Sequence, residues 1–338
     1  MDRKAQMPNQ KTRRTLLRGA VLGGTGIAAA SLLAPASAAA ADTDDGLVFP
    51  GVDVVIDDSH ATTEVAELVR RYLTRKSAHD LEGWMSFFSR RLITYIDAVV
   101  GAGYYSWDSL REGLSEFVPS WPSDGKSYPT RILGDATGAI TFFTDTAGLF
   151  GPSEIRAVGV MNFHDRKITR QIDYWDGRHF GIANTAALAA ASPPGFPTDF
   201  RESTVGETAA PAMRNVAHKL AQALRLGDGA AELFAPGAVF EDMPAHLQIV
   251  GPRSIGAYLT KAVSLLPYAG GGTAVRHVVG SAVGGGYEWT ASNSAVPRGV
   301  VALELDRWGK ITRLTALWDG SLLDEATLIS LASPAIEH

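Results

Sequence analysis

The chain has 338 residues, of which 31 are basic and 36 acidic, for a formal net charge of −5, and it has no cysteine. Disulfides, thiolate nucleophiles and cysteine metal sites are therefore excluded. The first forty residues hold six of the basic residues and one acid, so the remainder carries 25 against 35, a net −10 that argues against nucleic-acid or anionic-membrane partners.

That first stretch places Lys4, Lys11, Arg13, Arg14 and Arg18 ahead of a Gly/Ala-rich apolar run, Ala20 to Leu33, and then Ala36-Ser37-Ala38. A basic segment, a short apolar run and a small-residue cleavage pattern read as a removable signal. Thr12-Arg13-Arg14-Thr15-Leu16-Leu17-Arg18 looks like a twin-arginine export signal. The expectation is a signal peptide over 1–40, an N-terminal segment over 41–60, and a mature protein exported by this route to the periplasm or beyond. No later segment is long and apolar enough to span a bilayer, so no membrane association is expected after signal removal.

Helical spacing of Val65, Leu68, Val69 and Tyr72 predicts a first helix, with Arg70, Arg71, Arg75 and Lys76 mostly on its other faces. Asp80 caps a short helix carrying Trp84, Phe87 and Phe88. A strand from Leu92 to Val100 puts Tyr95, Asp97 and Val99 on one face. A helix from Leu110 to Phe117 follows, then strands over Ser127–Leu133, Ala139–Asp145, Ile155–His164 and Ile168–Trp175.

A Pro- and Ala-rich linker over 187–208 separates this region from a second series in the same order. Helices are expected at Ala212–Leu226 and Ala230–Phe234, a strand at Val239–Asp242, and a helix at Ser254–Leu266. Strands follow near Thr273–Val279, Tyr287–Ser292, Gly299–Leu305 and Ile311–Trp318. The final strands nearly repeat: KITRQIDYWDG from Lys167 to Gly177 returns as KITRLTALWDG from Lys310 to Gly320, 143 residues on. Self-similarity at a domain-sized period means two copies of one fold. The expectation is α+β, with one unit over 61–186 and another over 209–330, each with helices on one face of a curved antiparallel sheet.

Helix, short helix, Asp-bearing strand, helix and a strand meander ending in Trp together resemble the NTF2-like, or SnoaL-like, cone fold. Glu64-Val65 with Leu68, Arg71 and Tyr72 looks like the first helix of bacterial ketosteroid isomerases. Val239-Phe240-Glu241-Asp242-Met243-Pro244, followed by Gly251, looks like their strand bearing the catalytic aspartate. The resemblance implies a general-base aspartate at Asp97 and at Asp242, and a hydrogen-bonding tyrosine at Tyr72. Leu220 stands at the tyrosine position of the second unit. The second, protonated aspartate of those enzymes has no counterpart, its place falling near Gly159 and Val301. The resemblance also implies pairing of the two cones, as a pseudo-dimer or a homodimer, through their sheet faces.

An aspartate in an apolar cone is a usable base, since burial raises its pKa toward working pH. Asp97 and Tyr72 are the catalytic candidates. Tyr95, Tyr104, Trp107, Asp173, Trp175 and His179 are the substrate-binding candidates, Asp173 and His179 being absent from the second copy, where Ala316 and Leu322 stand. Glu241, Asp242 and His246 are the second-unit candidates. The eight histidines show no H-x-H or H-E-x-x-H spacing, so neither metal nor cofactor is expected. The function implied is cofactor-independent isomerisation, dehydration, cyclisation or epoxide opening on a small hydrophobic molecule. The alternative is a non-catalytic ligand-binding or assembly module.

Overall fold

The computed structural model describes residues 49–91, 93–189 and 206–335. The signal segment, residues 41–48 and residues 190–205 of the linker lie outside the described residues. Strand β1 (Asp57–Ala61) leads into helix α1 (Thr63–Ser77), short helix α2 (Leu81–Met85), strands β2 (Thr94–Asp97) and β3 (Gly103–Tyr104), and helix α3 (Trp107–Phe117). A meander follows: β4 (Ser127–Asp135), β5 (Gly138–Asp145), β6 (Ile155–His164) and β7 (Lys167–Trp175), then helix α4 (Ile182–Ala189). The second unit holds α5 (Pro211–Leu226), β8 (Phe234–Asp242), β9 (Leu247–Val250), α6 (Pro252–Lys261), β10 (Thr273–Gly280), β11 (Gly284–Ala291), β12 (Arg298–Leu305), β13 (Ile311–Trp318) and α7 (Glu325–Ser330).

The sheets run β1-β4-β5-β6-β7-β2-β3 and β10-β11-β12-β13-β8-β9. Removing β1 leaves the same order in both, so the repeated sequence is a repeated α+β topology. Strand β1 lies parallel to β4 and extends the first unit upstream of residue 61. Helix α4 occupies 187–189 of the expected linker.

Local chemistry sets the helix ends. Asp80 accepts from Gly83 N at 2.9 Å to cap α2, and Ser106 and Ser109 form a reciprocal capping box on α3. Pro211 opens α5 and Gly227, at φ 72°, closes it in a left-handed turn. In α1 the buried stripe Val65, Val69, Tyr72, Leu73 recurs every three to four residues and faces the sheet. Each large apolar side chain so buried contributes about 1.5–3 kcal/mol.

Helices cover one face of each sheet, over separate cores centred on Trp84, Phe88 and Ile168 and on Phe240, Tyr258 and Trp318. The opposite faces pack on each other: Ile140, Phe142, Val158, Val160 and Ile172 meet Val279, Val300, Ala302 and Leu317. Alternation along a strand sorts the residues: Arg170, Ile172 and Tyr174 face the partner sheet, whereas Gln171, Asp173 and Trp175 face the helices. Buried polar pairs cross the interface. Arg170 meets Glu288 at 2.6 Å, the Tyr174 hydroxyl donates to Glu288 at 2.6 Å, and Arg131 meets Glu304 at 2.7 Å.

The duplicated Trp-Asp-Gly turns also meet here. Gly177 N donates to Asp319 Oδ1 at 2.9 Å, and a Cβ on Gly177 would lie 2.6 Å from Ser321 Oγ. A Cβ on Gly320 would lie 2.8 Å from Arg178 Nε. Each glycine is required by the turn of the other unit.

Candidate functional site

Between α1, α3, α4 and the concave face of the first sheet lies a cavity of about 150 Å³. Its apolar wall comes from Tyr104, Leu114, Phe117, Phe143, Phe180 and Leu188. Its polar groups are Tyr95, Asp97 and Asp173 on the sheet, and Lys76 with Asp145.

Asp97 and Asp173 are direct register partners on parallel strands β2 and β7, so two carboxylates stand side by side on the concave face. They are held differently. Asp97 Oδ1 accepts from the backbone N–H of Val99 and Val100 at 2.9 and 3.0 Å, and Oδ2 accepts from Trp175 Nε1 at 3.0 Å. Asp173 is 6 % exposed and accepts from the Tyr95 hydroxyl at 2.8 Å and from Gln171 Nε2 at 2.9 and 3.1 Å. Burial pushes the Asp173 carboxyl up to about 6, against the lowering effects of Gln171, the Lys76 ammonium and Tyr95. The Tyr95 phenol is raised well above its usual value, by burial first and then by Asp173.

Tyr72 stands one step back. Its hydroxyl donates to Gln171 Oε1 at 3.1 Å, and its ring is enclosed by Trp84, Phe87 and Phe88. It therefore acts on Asp173 through Gln171 rather than by facing the cavity. Burial raises its phenol pKa.

The remaining candidates separate by location. Tyr104 and Trp175 line the cavity. Trp107 lies outside it, donating to Met85 O at 3.1 Å beneath the Arg90 guanidinium at 3.9 Å. His179 sits in the turn after Trp175, away from the cavity, and burial lowers its pKa. Glu241 and Asp242 are adjacent and so point to opposite faces. Glu241 faces the interface, 3.4 Å from Arg313 and 3.9 Å from Arg131, while His246 is exposed in the turn beyond. The second-unit candidates therefore do not converge, and among the described residues no group of three or more metal-ligating side chains is assembled.

The second unit shows which features are shared. Asp242 is fully buried and accepts from Ala245 N at 2.9 Å, Tyr268 at 2.8 Å and Trp318 Nε1 at 3.3 Å. Burial raises it to about 6. The carboxylate–indole pair Asp97–Trp175 thus recurs as Asp242–Trp318, inside a unit whose core holds Tyr258, Tyr268, Tyr287 and Trp289. The other polar residues of the first site do not recur. Equivalent strand registers place Ala316 at Asp173, Leu314 at Gln171 and Phe240 at Tyr95.

Gly159 and Val301 are equivalent too, being the partners of Asp173 and Ala316 on the adjacent strands. A Cβ at Gly159 would lie 2.8 Å from Asp173 Oδ1. The resemblance put a second carboxylate on this strand and found glycine. The structure instead brings a carboxylate over that glycine from the neighbouring strand.

The sequence reading missed Lys76 and Asp145. Lys76 is 3 % exposed, and its ammonium lies 2.9 and 3.2 Å from the two oxygens of Asp145. The signal was present: the stripe Val65, Val69, Tyr72 continues at helical spacing to Lys76.

No family model matches the chain, and no curated protein does. Among solved structures, an NTF2-like protein of unknown function from Burkholderia xenovorans is similar at 15% identity, over 33% of this chain and 82% of that one, with a TM-score of 0.29. A hypothetical protein with a ketosteroid isomerase-like fold from Catenulispora acidiphila, in complex with trimethylamine, is similar at 13% identity, over 38% and 98%, with a TM-score of 0.31. An NTF2-like protein of unknown function from Cytophaga hutchinsonii is similar at 11% identity, over 33% and 90%, with a TM-score of 0.28. Further similar structures carry the descriptions SnoaL-like and ketosteroid isomerase-like.

Proposed function

We propose that the first unit performs cofactor-independent proton transfer on a small hydrophobic molecule, as an isomerase, lyase or cyclase, and that the second unit serves as its structural partner. The observation that carries this reading is Asp173: a carboxyl raised to about 6 by burial, on the wall of a largely apolar cavity, with a neighbouring carboxylate and a phenol in place. At pH 7 such a group is about nine-tenths ionised, so it accepts a proton readily and returns it readily. Asp173 is a better assignment for the base than Asp97, because the indole bond of Asp97 recurs at Asp242 and an alanine stands at the position of Asp173 in the second unit. Tyr95 and Gln171, backed by Tyr72, hold the carboxylate in position. The twin-arginine-like segment adds the proposal that this chemistry takes place outside the cytoplasmic membrane.

The test is enzyme-dependent deuterium uptake from heavy water into ring-sized ketones and enones, followed by mass. Wild type is expected to exchange the acidic C–H, with Asp173→Asn slowed about 100-fold or more. Exchange that is undiminished in this variant would remove Asp173 from the reaction. Specific binding of these ketones with no exchange at any would favour the ligand-binding module.

A further inference from the structure

Lys76 has no equivalent in the second unit. Carrying the alignment of Tyr72 with Leu220 one helical turn onward places Leu224 there, and Leu224 is buried in an ordinary apolar core. A leucine therefore satisfies this position in the same fold. Burying an ammonium and a carboxylate together is expensive, and well-packed apolar residues generally hold such a site as well or better. Structural need does not account for the pair.

The arrangement points toward the cavity. Both residues line it, and Asp145 is the only hydrogen-bond acceptor of Lys76 among the described residues. An ammonium has three N–H donors. Both bonds go to one carboxylate, and the rest of the ammonium is surrounded by Phe143, Phe150 and Trp84, with ring centres at 4.9, 5.1 and 5.6 Å. Aromatic faces stabilise the charge but accept no conventional hydrogen bond. The carboxylates on the sheet side are engaged by donors already: Asp97 by Trp175 and two backbone amides, Asp173 by Gln171 and Tyr95. The cavity thus presents a spare donor on a buried cation. Its volume has room for a single ring, since an apolar cavity of about 150 Å³ accommodates a benzene-sized molecule.

We propose that Lys76, held in place by Asp145, is the anion-recognising residue of this cavity, and that the ligand is a single-ring-sized apolar molecule bearing one anionic oxygen. This rests on the first-unit cavity being the substrate site. The oxygen is either a carboxylate present from the outset or an enolate that develops as the carbanion side of the molecule loses its proton to Asp173. In either case the ammonium end and the carboxylate end of the cavity orient the molecule between them.

The experiment is calorimetric titration with benzoate, 4-nitrophenolate, benzamide and benzylammonium. Wild type is expected to bind an anion about tenfold or more tighter than benzamide, and benzylammonium weakest. Preference for benzoate identifies a carboxylate, and preference for 4-nitrophenolate identifies an enolate-like oxygen. Lys76→Met should erase the preference. Because that change leaves Asp145 buried without its partner, Lys76→Met/Asp145→Leu, which removes both charges, is run beside it and should behave alike. An anion preference that survives in the double variant, or tighter binding of benzylammonium by wild type, would overturn the proposal. Asp173→Asn should retain the preference, which separates the two readings: Lys76-dependent anion binding without any deuterium exchange sinks proton transfer alone. Exchange with Lys76-independent binding sinks anion recognition alone.

Discussion

Replacing Asp173 by Asn removes one titration from the folded protein, and its size follows from the site. The carboxyl moves from an ordinary value of 3.8 to about 6, with burial as the largest cause. At about 1.4 kcal/mol per pH unit this corresponds to about 3 kcal/mol. The sign follows from proton counts. Between pH 4 and 6 the folded protein holds more protons on Asp173 than the unfolded chain does, so stability falls as pH rises through this window. The penalty is absent below the unfolded value and complete above about 6. Asp242 is raised to the same region but is present in both proteins, so it cancels in the difference. Urea unfolding of wild type and Asp173→Asn, from about pH 4 to 7.5, should show the variant gaining on wild type by about 2–3 kcal/mol across the range. A difference that stays constant with pH would mean that Asp173 ionises as an ordinary solvated carboxylate, and the argument for a poised base would fall with it.

Gly159→Val installs the residue that the second unit carries at Val301. Its first carbon would stand 2.8 Å from Asp173 Oδ1, so deuterium exchange should drop about 100-fold while unfolding shows a loss of about 1–3 kcal/mol; wild-type exchange in this variant would show that the Asp173 position is not critical. Gly177→Ala places a Cβ 2.6 to 2.7 Å from Ser321 and Asp319 of the second unit and from Thr185 of the first, and should lower Tm by several degrees, whereas an unchanged Tm would show that this turn is not closely packed in solution.

The fold was legible because its signals are local. Helical stripes, a capping aspartate and the recurring Trp-Asp-Gly turn each lie within a dozen residues, and together they defined two units of one topology. The short strands β1, β3 and β9 escaped for two reasons: β3 and β9 are only two and four residues long, too short to show a pattern, and β1 lies against β4, some seventy residues on, with no apolar alternation of its own. The site was legible in type and less so in assignment. Asp97 drew attention through its recurrence, yet the recurring part, the bond from the last-strand indole, ties two neighbouring strands in both units and marks a structural duty. Asp173 stood out for the opposite reason, by failing to recur, and its role required the register that sets it over Gly159. The Lys76–Asp145 pair joins residues 69 apart, and a lysine near a helix C-terminus reads as a solvated, dipole-complementing charge. Only the continuation of the apolar stripe pointed inward.

The comparison of the two units supplies a rule for separating structure from chemistry in this chain. Both copies share one backbone layout, so whatever both retain is sufficiently explained by that layout. The indole-to-carboxylate bond passes this test in both units: it ties the last strand to the strand beside it at Asp97–Trp175 and at Asp242–Trp318. The Trp-Asp-Gly turns pass it as well, since each fits against the other across the interface. What remains in the first unit alone is Asp173, Gln171, Tyr95, Tyr72 and Lys76: Asp173, Tyr95 and Lys76 line the cavity, Gln171 bonds to Asp173, and Tyr72 bonds to Gln171. Their counterparts are Ala316, Leu314, Phe240, Leu220 and Leu224, all apolar and all buried. Apolar replacement at every one of these positions buries ordinary core side chains and leaves the fold intact. The same fold therefore has no need of the polar set, and Asp173 and the buried Lys76–Asp145 pair are burdens of stability that the second unit does without at these positions. A polar set present on the wall of one cavity and replaced by apolar residues in its duplicate is what a working site leaves behind.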